Sequence, residues 1–210
     1  ARGVVLSGQA VWTDHPPDDI VDVAADPSIR WVLLGFHRPV FGTDVLGGVV
    51  RAVFERAGVA NVNAAVVIHS HERALSQVVV VIDDCVDGEA ALELGCRVAH
   101  RDGQTIRLVL VPRVGGEPEH GLQQLVKRAS RQAARWLPTQ VVDRADTSWL
   151  TLLTSGDLVV VGASLVEELH LPITSGPLTD RLLVVVKGGV APRPVEDLDR
   201  REPLPAIGLA

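Results

Sequence analysis

Three glycine-flanked apolar runs dominate the hydrophobic pattern: Trp31 to Gly35 (WVLLG), Val78 to Ile82 (VVVVI) and Asp157 to Gly162 (DLVVVG). A strand buried on both faces reads as an unbroken Val/Ile/Leu run, whereas a strand with one wet face alternates apolar and polar positions. The pattern therefore predicts a parallel sheet covered on both sides. Ala64 to Ile68, Ile106 to Val111 and Leu182 to Val186 read the same way, and Gly3 to Trp12 and Gln140 to Asp143 are weaker strand candidates.

Helical spacing fills the intervals. Thr43 and Asp44 offer an N-cap, after which Leu46, Val49, Val50, Val53, Phe54 and Ala57 recur on one face until Gly58 stops the run. Gly88 to His100 places Ala91, Leu92, Gly95, Cys96 and Ala99 on one stripe. His120 to Leu137 does the same with Leu122, Leu125, Val126, Ala129, Ala133 and Leu137, and Pro138 ends it. Strands alternating with helices through short loops predict an α/β fold with a doubly wound parallel sheet.

A short helix, a strand ending in Gly, a long loop and a Val-rich strand occur at Asp18 to Ile68 and again at Ser148 to Val186. The second copy follows a full strand, helix, strand, helix, strand series from Gln77 to Asp143, while the first follows only Gly3 to Asp14. Residues 1–72 therefore read as the C-terminal half of a unit whose front half is absent, and residues 76–189 as a complete unit. Residues 190–210, with alternating prolines and charges, read as an extended tail. The chain starts at Ala1 and contains no Met, so it is expected to be part of a longer polypeptide.

Composition narrows the classes. A net charge of −6 argues against a nucleic-acid partner. Two cysteines, Cys85 and Cys96, make no disulfide framework and fit a reducing compartment. The apolar runs are about five residues long, far short of the roughly 18 that a membrane helix needs.

The opening of the second unit, VVVVIDDCVDGEAALELGCRVAH, resembles the first strand and helix of universal stress protein domains, a Rossmann-like fold. The stretch DIVDVAADPSIRWVLLGFHRPVFGTDVLGGVVRAVFERAGVANVNAAVVIHSHE, residues 19–72, resembles the cytosolic C-terminal region of bacterial CPA2-family monovalent cation/proton antiporters. There a membrane domain of many helices precedes one or two degenerate stress-protein-like domains. "LLG-x-HRP" followed by "DVLGGVV" is the most specific part. The resemblance implies a cytosolic regulatory domain at the cytoplasmic face of the bacterial membrane, tethered to the membrane-embedded antiporter domain of the same polypeptide. A stand-alone tandem stress protein that binds adenine nucleotide is the alternative.

In nucleotide-binding stress proteins the fourth strand leads into Gly-x2-Gly-x9-Gly-[Ser/Thr], whose glycines let backbone amides approach phosphates. Here Gly35 is followed by Arg38 three residues on and by Gly48 ten further; the spacing survives while half the chemistry is replaced. Arg38 supplies charge where the motif has glycine, and amides near Gly47 and Gly48 remain available to an anion. A plain strand-to-helix turn is the structural alternative. In the second copy Gly162 is followed by Leu165, and Pro177 to Arg181 leave about one turn for the phosphate-capping helix.

Asp83, after VVVVI, would by resemblance face an adenine or ribose, with the Val111 strand end beside it; a cap on the following helix is the alternative. The candidate ligand residues are thus Gly35, His37, Arg38, Gly47, Gly48, Asp83 and Val111, with an adenine nucleotide or cyclic di-AMP as the expected ligand class and no certain cofactor. His37 is a candidate pH sensor. His69 and His71 lack companions for a metal site, and Lys127, Arg128, Arg131 and Arg135 form a basic ridge that reads first as a solvated face. Because no nucleophile, base and oxyanion arrangement is present, no catalysis is expected. The two units should pack through their terminal strands, and the uncovered edge of Leu182 to Val186 suggests a homodimer.

Overall fold

Strands appear at each strong apolar run, and within Val78 to Ile82 and Leu158 to Val161 successive side chains enter two different dry layers. A computed structural model describes residues 12–26, 28–36, 47–58, 60–68, 75–112, 123–127, 139–142, 148–171, 173, 176–178 and 181–189. In order these form α1 (Pro16–Ala24), β1 (Trp31–Gly35), α2 (Gly48–Ala57), β2 (Asn63–Ile68), β3 (Gln77–Ile82), α3 (Val86–Asp102), β4 (Thr105–Leu110) and β5 (Thr139–Val141). A 3-10 turn (Ser148–Leu152), β6 (Asp157–Gly162), α4 (Ala163–Glu168), a second 3-10 turn (Gly176–Leu178) and β7 (Leu182–Lys187) follow. Residues 123–127 are also helical.

The seven strands make one sheet in the order β1-β2-β7-β6-β3-β4-β5, parallel throughout except where β2 meets β7. Val79, Val81, Val159, Val161, Leu183 and Val185 face a layer holding Val53, Phe54, Trp149 and Leu165. Their neighbours Val78, Val80, Ile82, Leu158, Val160 and Val186 face Ala90, Ala91, Leu92 and Ala99 of α3. Each such Val gains about 1.5–3 kcal/mol by leaving water. That is why the pattern along β3 and β6 does not alternate.

The helices obey local rules. Pro16 and Pro17 open α1 where missing N–H groups cost nothing, with Asp18 and Asp19 on its positive dipole end. α3 ends at Gly103, whose N–H donates to the Ala99 carbonyl. α2 starts at Gly48, with Gly47 as N-cap and, among the described residues, no side chain capping its free amides. The N-cap is thus Gly47 and not the expected Thr43 or Asp44, which lie outside the described residues. α4, directly after β6, was expected as loop; the run ASLVEE is helical because Ala163, Leu165 and Val166 bury one face beneath the sheet.

The two sequence units meet as expected through their terminal strands, β2 and β7. The same pairing removes the reason given for a homodimer, because β7 lies between β2 and β6 and has no free edge.

Asp157, buried at the start of β6, accepts hydrogen bonds from Thr154 N–H and Thr154 Oγ1 (both 2.7 Å), Ser76 Oγ (3.0 Å) and Gln77 Nε2 (3.1 Å). Burial pushes its carboxyl up, but the bonds from Thr154, Gln77 and Ser76 together outweigh this and hold it below the ordinary value of 3.8. A carboxylate depressed in the folded state contributes stability above its unfolded value, and that contribution fades as pH falls through the folded one. Asp157→Asn is expected to cost about 1–3 kcal/mol at neutral pH. Urea midpoints measured from pH 7 down to the acid limb should converge for the two proteins; parallel curves would show that this carboxylate does not supply the acid sensitivity.

Candidate functional site

In doubly wound sheets ligands gather at the carboxyl ends of parallel strands, at the point where successive helices leave to opposite faces. Here that point lies between β3 and β6. α3, after β3, packs on one face of the sheet, and α4, after β6, packs on the other. Asp83 and Gly162 flank the crevice between them.

The chain's own side chains stitch this crevice closed. Asp87, in the first turn of α3, is buried; its Oδ2 accepts from Ser164 N–H (3.1 Å) and Lys187 Nζ (3.3 Å), and its Oδ1 from Gly188 N–H (2.8 Å). One carboxylate thus ties together the carboxyl ends of β6 and β7 and the start of α3. Cys85 Sγ donates to Asp83 Oδ1 (2.8 Å) and lies 3.1 Å from Ser164 Oγ, a second bridge across the gap. Gly162 packs so close to Asp87 that a Cβ there would stand 3.2 Å from the Asp87 Cβ.

The electrostatics of this edge disfavour nucleophilic chemistry. Burial pushes the Cys85 thiol up, and donation to the Asp83 carboxylate pushes it further, so the sulfur stays protonated at neutral pH and is a poor nucleophile. Asp83 is fully buried, and its Oδ2 meets no hydrogen-bond partner among the described residues. It is not the helix cap either: Cys85 holds that position. Val111 is also fully buried, its N–H donating to the Ile82 carbonyl.

The seven candidate residues do not converge. β1 runs opposite to β6 because β2 and β7 pair antiparallel, so Gly35 lies at the opposite edge of the sheet from Asp83 and Val111. Gly47, with φ +78° and ψ 150°, has a backbone that residues with a side chain scarcely adopt. Among the described residues no atom lies within 4 Å of where a Cβ would stand at Gly35, Gly47 or Gly48. His37, Arg38, His69, His71, Arg128, Arg131 and Arg135 lie outside the described residues, and Lys127 is exposed. Among the described residues no three His, Cys, Asp or Glu side chains are grouped to hold a metal ion, and no helix is long and apolar enough to cross a membrane.

Sequence reasoning missed the Asp87, Ser164 and Lys187 clamp. Its partners are 77 and 100 residues apart, so no local spacing reveals it. The only signal was an acidic residue in the first turn after a buried strand, which is common at helix starts.

No protein-family model matches the chain, and no curated protein matches it. Solved structures do. One is a universal stress protein from Archaeoglobus fulgidus DSM 4304, similar at a TM-score of 0.53 with 15% identity, over 83% of this chain and 66% of that one. The chain spans slightly less than two thirds of that protein, and at this identity the likeness concerns architecture. With its mostly parallel sheet, covered on both faces, this chain has the fold of a universal stress protein.

Proposed function

We propose that this chain is a non-catalytic regulatory domain of a bacterial monovalent cation/proton antiporter, lying at the cytoplasmic face of the membrane and tethered to the membrane-embedded domain of the same polypeptide. The observation that carries the regulatory reading is the closed crevice: Asp87, Cys85 and Ser164 fill the position where a stress-protein fold would admit a ligand. The antiporter attachment is supported by the run LLG-x-HRP and DVLGGVV at residues 33–50. Any adenine nucleotide or cyclic di-AMP is then taken at the end of the sheet where β1 stops, by Gly35, Gly47 and Gly48 with His37 and Arg38. Binding there biases two states of the tail, and the tail biases transport.

Calorimetric titration with ATP, AMP and cyclic di-AMP tests the ligand step. A charged contact is worth about 1.5–3 kcal/mol, so Arg38→Ala should weaken binding by roughly ten- to a hundredfold while Asp83→Asn leaves it unchanged. ATP hydrolysis should stay at background. In vesicles holding the whole antiporter, removal of residues 1–210 should alter the response of cation-driven proton flux to the ligand. Binding lost on Asp83→Asn, or flux indifferent to the tail, would overturn the reading.

A further inference from the structure

One helix and one pair of glycines connect the two ends of the sheet between which the candidate residues divide. β1 and β2 are parallel, so the chain has to travel back from the Gly35 end to the Asn63 end between them, and α2 makes that return. Its ten residues span about 15 Å. Gly47 and Gly48 thus stand at one extremity of a stiff rod whose other extremity, Ala57, lies just before β2.

At that second extremity α2 meets the exit of β7. Ala64 pairs with Lys187, so the next two residues, Gly188 and Gly189, run past Asn63 and the turn before it. Gly189 lies so close to this turn that a Cβ there would collide with the Val62 and Ala57 carbonyl oxygens, and its N–H donates to Oδ1 of the buried Asn63 at 3.0 Å. Gly188 is pressed in the same way against the Val86 carbonyl at the start of α3, and its N–H is the one that Asp87 Oδ1 accepts at 2.8 Å. Two successive amides are therefore fastened to the two sequence units, one to Asp87 and the next to Asn63. The last turn of α2 has a further tie, Arg56 to Asp18 at 2.9 Å, but both side chains are half exposed and water screens the pair. The glycine strap is the stronger fixture. It also has a released state within reach, because glycines regain more backbone freedom than other residues when their bonds let go.

We propose that Gly188 and Gly189 form a releasable strap that opens and closes with α2 as one unit and links the Gly47 end of that helix to the Asp87 crevice. While the strap is seated, α2 is stopped against Gly189, and Asp87 keeps its three partners, Ser164, Lys187 and Gly188. When it lifts, the stop is gone and Asp87 loses the Gly188 amide. The strap supplies the two states that ligand binding biases in the reading above, and the proposal rests on that reading only for the ligand.

Native-state hydrogen exchange on residues 1–210 in low urea tests the strap without any ligand. Gly188, Gly189 and Val53, in the middle of α2, should share one opening with one urea dependence, on the order of a hundredfold more frequent than the opening that exposes Val80 in the core of the sheet. Asn63→Ala, which removes the acceptor of Gly189 N–H, should quicken all three by a common factor of about ten, and Gly189→Ala, which wedges residue 189 against α2, should quicken Gly188 and Val53 together by more. Quickening confined to residue 189 would overturn the proposal, since the ties would then act singly. So would exchange of all three at the rate of Val80, since nothing would then open short of the whole sheet. Calorimetry and exchange with ATP as the probe read the link to the ligand: at about ten times its Kd, ATP should slow Val53 and Gly188 alike, by about tenfold. ATP that binds and slows Val53 alone would overturn the link, whereas ATP that gives no heat would sink the ligand reading and leave the strap to be decided by the two variants.

Discussion

Gly88→Ala is expected to destabilise the chain by about 3 kcal/mol, although alanine is favoured over glycine inside a helix by about 1 kcal/mol. The reason is where α3 sits. A Cβ at Gly88 would run into the Asp83 backbone carbonyl, which cannot swing aside, and stand 2.8 Å from Asp83 Oδ1, which the Cys85 thiol holds in place. Relief requires α3 to lift from β3, which loosens Asp87 from its three partners one residue away. Gly95→Ala meets the Val80 Cγ2 methyl instead and should cost less, since a side chain yields more readily than backbone. Gly58, at the end of α2 with φ −62° and open space around it, is the control: Gly58→Ala should be neutral or slightly stabilising. Urea midpoints rank the three. If Gly88→Ala proved as stable as the parent, helix propensity would outweigh packing and the close approach of α3 to Asp83 would be wrong.

The same contrast marks how far the sequence could be read. Val78 to Ile82 and Asp157 to Gly162 were legible as strands because both their faces are dry, and one-dimensional hydrophobicity reports that condition directly. The end of α2 was legible because Gly58 follows the last apolar position. Its start was not: Thr43 and Asp44 offered a side-chain cap, while Gly47 caps with backbone alone. α4 was hidden because the glycine spacing after the fourth strand suggested a loop, and a six-residue helix carries too few positions to show a period. The Val-rich run Leu182 to Val186, with almost no helix to cover what precedes it, did announce the pairing of terminal strands. It could not announce direction, and the antiparallel contact of β2 with β7 is what sends Gly35 and Asp83 to opposite edges. A candidate site assembled from two units was therefore bound to divide. Asp87 escaped notice for a different reason: its work is done on backbone amides of two distant segments, and amides leave no signature in a sequence.

Those amides set the second large effect. Asp87→Ala should cost about 3–4 kcal/mol, because it strands the buried Gly188 N–H and the Ser164 N–H at once and leaves the Lys187 ammonium without its carboxylate. The ion pair itself is the smaller share. Lys187 is 36% exposed at 3.3 Å, so Lys187→Met should cost under about 1 kcal/mol. Asp87→Asn falls between the two, keeping an acceptor for Gly188 but turning a donor toward Ser164 N–H, which can only donate. The hole left by Asp87→Ala is lined by two amides and an ammonium, so acetate or formate should restore part of the lost stability to that variant and none to the parent protein. Unfolding midpoints with and without added carboxylate decide the matter. Asp87→Ala within about 1 kcal/mol of the parent, or Lys187→Met as damaging as Asp87→Ala, would mean that the crevice is not held by a carboxylate on backbone amides.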